Sequence, residues 1–324
     1  MTETAEIQSQ VESKQRSGLV QFFIRLFREK PLGTVGGVIV LLLLLVAIFA
    51  EWIAPFPYQE IHMADRLREP GAEYLLGADQ LGRDVLSRIL YGARLSIYVG
   101  LGASAINVIV GALIGVPSGY IGGKFDIVVQ RFVDALLSFP GLIFMITIMS
   151  LVGTGLLQVI FVLGVLGGIQ WIRVFRAATM SIRENIYFDA ARAIGATLPH
   201  MLKQHIMPNI MPVMIIVFTM AVAGNILAEA SLSFLGIGIP PPAPSWGGML
   251  SGEGRMYMYE APWLAIWPGV ALSLAVYGVS MWGDAVRDII DPRLRGGGGS
   301  FRGTKKGKAG KKRKDQDPGR VDRS

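Results

Sequence analysis

The stretch LGTVGGVIVLLLLLVAIFA, Leu32 to Ala50, decides the fold class. It carries no charge over a length close to the roughly 20 residues an α-helix needs to cross the hydrocarbon core of a bilayer. Working outward, the pattern recurs. Leu95 to Gly123, Ala135 to Ile172, Ile206 to Ala228 and Ala261 to Gly283 are also uncharged. The run from Ala135 to Ile172 is long enough for two helices and is broken at Gly153-Thr154-Gly155. A soluble domain could bury one or two such runs, but burying all of them would leave too little polar surface to cover them. Composition agrees: 17% of the 324 residues are charged, against about a quarter in a soluble domain. The sequence therefore predicts an all-α membrane protein of about six transmembrane helices, near residues 32–53, 95–120, 135–152, 156–173, 207–235 and 262–283. The first run follows a polar leader and ends at Glu51-Trp52 without a small-residue cleavage site, so a retained helix is expected.

Lysine and arginine set orientation because they resist translocation. With six helices the connecting segments alternate. Residues 1–31, 124–134, 173–205 and 284–324 hold about 25 of the 31 basic residues. The other segments hold the rest, mainly 54–94, where Glu60, Asp65, Glu69, Glu73, Asp79 and Asp84 accompany them. Both termini are thus expected in the cytoplasm. Residues 1–31 form an N-terminal segment, 32–295 the membrane domain, 54–94 an outer segment and 174–206 a cytoplasmic loop. Residues 296–324, Gly-rich and then Lys-rich, read as a disordered basic tail. A solvated tail is the simpler reading, with anionic lipid headgroups as the alternative. Membrane topology accounts for the net charge of +7, and no nucleic-acid partner is expected.

The residues also exclude chemistries. There is no cysteine, and three histidines (His62, His200, His205) are scattered. Gly122-Gly123-Lys124-Phe125 lacks the earlier glycine and the Ser/Thr of a phosphate-binding loop, so the chain is not expected to hydrolyse ATP by that route. No His-Glu-x-x-His or Gly-x-Ser-x-Gly arrangement occurs. We expect no catalytic residue, cofactor or metal site. Ionisable residues inside the membrane mark ion pathways, yet Glu51, Glu229 and Asp284 fall near predicted helix ends, and only Asn107, Gln170 and Asn225 lie deeper. Glu229 could line the outer mouth of a pathway, although pairing with a neighbouring helix end is the more economical reading. Gly111, Gly115 and Gly119 form a small-residue series suited to close helix packing.

The loop 174–206 is the one sizeable internal inside loop and reads as helix-turn-helix. Asp189 can cap a short helix, Ala190-Ala191-Arg192-Ala193-Ile194 presents a small face, and Gly195 suits a C-terminal cap. Pro199 opens a second helix that leads into the next span at Pro208 and Pro212. A low-profile helix between turns is what docking into another protein's groove requires; an ordinary amphipathic surface loop fits the pattern equally well.

At this loop the sequence resembles the permease subunits of binding-protein-dependent ABC importers. Their signature is Glu-Ala-Ala, three residues, Gly, nine residues, Ile-x-Leu-Pro. Asp189-Ala190-Ala191, Gly195 and Pro208 keep its spacing, while Asp189 replaces Glu, His205 replaces Ile and Met207 replaces Leu. Leu76-Gly77-Ala78-Asp79-Gln80-Leu81-Gly82-Arg83-Asp84 is similar to the outer-loop motif of dipeptide and oligopeptide permeases, with Ala78 for the usual Thr. Glu229-Ala230-Ser231-Leu232-Ser233-Phe234-Leu235-Gly236, the stretch Pro241 to Gly247, and the ending Asp291-Pro292-Arg293-Leu294-Arg295 resemble the second, C-type permease of those systems. The resemblance spans residues 22–295. It implies a type I ABC importer permease fold in the cytoplasmic membrane of a prokaryote. Its implied partners are a second homologous permease, two cytoplasmic ATPase subunits that receive Asp189, Ala190, Ala191 and Gly195, and an extracytoplasmic substrate-binding protein. Short peptides are the implied cargo, with nickel chelates or sugars as alternatives. A stand-alone membrane enzyme or receptor would need a buried acid, nucleophile or metal set that the sequence does not offer.

Overall fold

The computed structural model describes residues 25–185, 188 and 195–290, all within the first of two compact units, Met1–Asp291. Asp189, Ala190, Ala191, most of the N-terminal segment and the basic tail lie outside the described residues. Eight helices carry the architecture: α1 (Pro31–Ile53), α2 (Val85–Ile121), α3 (Gly123–Leu137), α4 (Gly141–Val152), α5 (Leu156–Arg183), α6 (Met207–Phe234), α7 (Trp246–Ser251) and α8 (Trp263–Ile290). Helix α6 continues directly from a π-helical turn, Met201–Ile206. Four long helices, together with α6 and its turn, are long and apolar enough to cross a membrane. The pair α3–α4, bent by 88°, makes up to six spans.

Local chemistry sets the ends. Pro31 stands in the first turn of α1, where a missing N–H is harmless. The Asp84 carboxylate accepts from the Ser87 backbone N–H at 2.7 Å and starts α2 ten residues before the uncharged run begins. Helix α2 ends at Gly122, with φ +69°, and α4 ends at Gly153, with φ +93°. The expected spans therefore shift. Hydropathy windows stop at charges, but α5 runs on past Arg173 to Arg183, and α8 past Asp284 to Ile290. Arg173 and Arg176 are both ion-paired within the chain, and that neutralises them inside a helix. The expected helix at 135–152 is instead α4 alone, preceded by an elbow at Ser138-Phe139-Pro140. Proline pushes the residue before it out of the helical region.

The deepest packing joins α2 to α5. A Cβ added at Gly115 would lie 2.4 Å from the Ile172 carbonyl oxygen, and one at Gly119 2.5 Å from that of Arg176. From the other side, Gly164 faces Ile106 and Gly168 faces Val110. Lipid tails are as apolar as leucine, so helices in a bilayer gain by close backbone approach, and these glycines permit it. Gly115→Leu is expected to force the seam apart and to destabilise the subunit by about 1–3 kcal/mol or more. A thermal shift in detergent measures the loss. Helix α1 meets α8 the same way, with Gly36 against the Gly278 carbonyl.

The helices define two ends. Residues 54–84 and 235–262, with eight prolines between them, gather at one (Trp263 of α8 donates to the Ala78 carbonyl there at 3.3 Å). At the opposite end Arg183 of α5 donates to the Tyr120 carbonyl at 2.8 Å, and Lys30 pairs with Asp288.

Candidate functional site

At the proline-rich end, the residues of the outer-loop motif close on one carboxylate. Asp79 is 1% exposed. Its Oδ1 accepts from the backbone N–H groups of Leu81 at 2.8 Å and Arg83 at 3.0 Å, and its Oδ2 accepts from Arg83 Nε at 2.6 Å. Arg88 Nε, from the first turn of α2, approaches the same oxygen at 3.6 Å. Asp84 holds both the N–H and the hydroxyl of Ser87, whose oxygen accepts from Phe56 N–H at 3.0 Å. Gly82 has φ +72°, and a Cβ there would strike the His62 carbonyl at 1.8 Å. The four motif residues thus fold the segment onto the start of α2. Nearby, burial first and then a hydrogen bond to Asp65 raise the Tyr74 phenol above its ordinary pKa.

Beneath this cluster lies a cavity of about 300 Å³ lined by Arg83, Arg88, Thr154, Ser233, Ser245 and Pro241, among others. Glu229 is wholly buried on α6 under its floor. Ser233 donates to Glu229 Oε1 at 2.7 Å while accepting from Ile239 N–H at 3.1 Å. Glu229 Oε2 makes no hydrogen bond among the described residues. The carboxylate ties α6 to the loop that follows it and reaches no exposed surface of this chain.

Midway along the bundle, asparagines join three helices. Asn225 of α6 donates to Ser104 Oγ and Asn107 Oδ1 of α2, both at 2.9 Å. Asn107 in turn donates to the α5 carbonyls of Leu163 at 3.0 Å and Gly164 at 2.6 Å. Gln170, the third deep polar residue of the sequence, is not part of this network and is exposed. Within a membrane such contacts average about 0.6 kcal/mol. A double-mutant cycle on Asn107→Ala and Asn225→Ala is expected to give a coupling of that order in detergent unfolding.

At the opposite end a second ion pair fixes α3 across α5. Asp126 receives Arg176 through both carboxylate oxygens, at 2.5 Å each, and the Ser118 hydroxyl at 2.6 Å. Arg173 also pairs with Asp134. Sequence reasoning missed Asp126 and Arg176, because 50 residues separate them and each looked like an ordinary charge near a span end.

This end holds the ends of the loop. Phe188 and Met201, on either side of the segment 189–194, are both fully buried, in a cluster with Val116, Phe175, Ile206 and Ile210. Gly195 is exposed, with φ +82°, and an added Cβ would meet nothing within 4 Å among the described residues. Pro208, the second residue of α6, clashes with the carbonyl four residues earlier in a regular helix, and the wider turn Met201–Ile206 precedes it.

Packed glycine seams, buried polar contacts and two elaborated ends describe a multi-pass membrane protein. Residues 107–296 match the family described as binding-protein-dependent transport system inner membrane component. Residues 18–70 match the N-terminal TM domain of oligopeptide transport permease C. The chain is 37% identical over 271 residues to a Brucella suis biovar 1 chain named as a peptide transport system permease protein, covering 84% of this chain and 90% of the relative. It is 36% identical over 275 residues to the glutathione transport system permease protein GsiD of Escherichia coli O157:H7, covering 85% and 90%. A structure titled "Inward facing conformations of the MetNI methionine ABC transporter" aligns at 20% identity and TM-score 0.46, covering 60% of this chain and 94% of that one. The chain belongs to the binding-protein-dependent transport system inner membrane component family. It is a membrane-embedded transport subunit and not an enzyme, and its family implies an ATPase and a binding protein as partners.

Proposed function

We propose that this chain is one pore-forming permease of an ATP-driven importer of short peptides, paired with a second homologous permease and driven by two ATPase subunits. The observation that carries the reading is its identity, over more than four fifths of its length, to permeases named for peptide and glutathione transport; glutathione is itself a tripeptide. The importer lies in the cytoplasmic membrane of a prokaryote, with both termini of this chain inside. Charge supports that orientation. At the proline-rich end, Arg68 pairs with Asp65 and Glu73, Arg83 with Asp79 and Arg94 with Glu51, so that end has little net positive charge. The opposite end carries Arg25, Arg28, Lys124 and Lys203 besides its paired bases.

In this reading an external binding protein delivers cargo to the proline-rich end. The ATPases grip the segment from Asp189 to Gly195, with Pro208 at its base. Phe188 and Met201 carry the displacement into the cluster around Phe175. Glu229 acts as a tie between α6 and the loop at the outer mouth. Purification in mild detergent is expected to recover two ATPases and one second permease per copy. In proteoliposomes supplied with the binding protein, ATP is expected to drive uptake of labelled tripeptide. Recovery as a lone chain, or ATP-driven uptake of a sugar or nickel chelate with no peptide uptake, would overturn the proposal.

A further inference from the structure

Resting on that reading, we infer that Gln170 lines the water-filled pathway and presents its carboxamide to the backbone of the passing peptide. Gln170 lies on α5, 14 residues from Leu156. At 1.5 Å per residue this is about 21 Å from the proline-rich end, inside a hydrocarbon layer about 30 Å thick. It is exposed, and its amide has no hydrogen-bond partner among the described residues. A primary amide carries two donors and an acceptor. Facing lipid, all would go unmet at a depth where no water replaces them.

The surroundings point the same way. Leu166, one turn before Gln170, packs into a cluster to which α4 contributes Met145, Ile146 and Met149 beside residues of α2, α5 and α6. Arg173, one turn after it, is tied to Asp134 on α3. Gln170 therefore faces out between α4 and α3, beside the elbow at Ser138-Phe139-Pro140. Helix α4 has only 12 residues, about 18 Å of rise, too short to span the bilayer. All three elbow residues are exposed. Irregular backbone at that depth persists only where protein covers it or water fills a cavity beside it. The Arg173–Asp134 pair, with its side chains 50% and 46% exposed, argues against lipid there and favours a wet surface. Toward the proline-rich end, Thr147, Ser150 and Thr154 follow at i, i+3 and i+7 on the exposed side of α4 and its end. Thr154 lines the 300 Å³ cavity. Polar side chains thus occur on α4 and α5 between that cavity and Arg173, the Thr147 and Ser150 hydroxyls donating to the Ile143 and Ile146 carbonyls of their own helix. A carboxamide there can donate to a peptide carbonyl and accept from a peptide N–H, whatever the side chains of the cargo.

The chain lacks cysteine, so single cysteines report without background. The test uses the complete importer in proteoliposomes, after wild-type uptake of tripeptide has been established; absence of wild-type uptake would count against the proposed function instead. Gln170→Cys is expected to react with a charged, membrane-impermeant thiol reagent roughly tenfold faster than Leu42→Cys, an exposed residue of the lipid-facing stretch of α1, in at least one nucleotide state. Gln170→Leu is expected to assemble normally and to lower peptide uptake about tenfold, the loss of one hydrogen bond, with Gln170→Asn restoring part of it. The inference is overturned if Gln170→Cys is as inert as Leu42→Cys in every nucleotide state. Crosslinking to the second permease in place of reagent labelling, or full uptake by Gln170→Leu, would also overturn it.

Discussion

Asp79→Ala is expected to cost the subunit about 3–5 kcal/mol, the usual penalty for removing one partner of a buried ion pair. Arg83 and Arg88 are each 5% exposed. The substitution removes the carboxylate that both guanidiniums approach, together with the acceptor for the Leu81 and Arg83 backbone N–H groups. The segment 54–84 is held to α2 chiefly here and at Ser87, so its detachment should accompany the loss. Thermal unfolding in detergent measures stability, and protease sensitivity between residues 54 and 84 measures the detachment. Asp79→Asn keeps an acceptor and drops the charge, so it should fall between wild type and Asp79→Ala. A change below about 1 kcal/mol for Asp79→Ala would show the site to be solvated, like a surface pair.

Gly195→Arg is expected to reduce ATP-driven uptake at least about a hundredfold while the subunit still inserts and pairs with its second permease. A Cβ added at Gly195 meets none of the described residues within 4 Å, so a side chain fits without clash against them. Its φ of +82° adds a backbone cost of about 1–2 kcal/mol for a non-glycine residue. That is too little to unfold a bundle held by glycine seams, but a bulky cation at a surface proposed to lie in a groove would hold the two proteins apart. Gly195→Asn separates the effects, because asparagine tolerates the left-handed conformation and adds little bulk; it should retain most uptake. Co-purification of the ATPases should fall with Gly195→Arg and persist with Gly195→Asn. Normal uptake by Gly195→Arg would remove the docking surface from this loop.

The spans were legible because a bilayer demands length and lack of charge, and Leu41 to Leu45 or Ile206 to Ala228 can hardly do anything else. Their ends were less so. Arg173 and Arg176 end an apolar window, yet Asp134 and Asp126 neutralise them, and that pairing depends on α3 crossing α5. The elbow at Pro140 did leave a local signal, the Phe139-Pro140 pair, which the longer apolar run concealed. Asn107 and Asn225 stood out as deep polar residues, but 118 positions separate them and nothing local showed that they meet. Gln170 looked like both in the sequence; only its exposure set it apart. The spacing of Asp79, Gly82, Arg83 and Asp84 was recognisable as a motif that runs on to Ser87 and Arg88, but nothing in it showed that Arg88 approaches the Asp79 carboxylate.

The seam between α2 and α5 has a consequence for how motion passes through the subunit. At Gly115 and Gly119 the two backbones approach with no side chain between them, and at Gly164 and Gly168 only the stems of Ile106 and Val110 intervene. The two helices behave as a single strut, with Phe175 of that strut in the same cluster as Phe188 and Met201. A displacement at this end is therefore expected to reach the other with little loss. The give has to come from the elbow before α4, where a short helix meets its neighbours lightly and the chain already turns a corner.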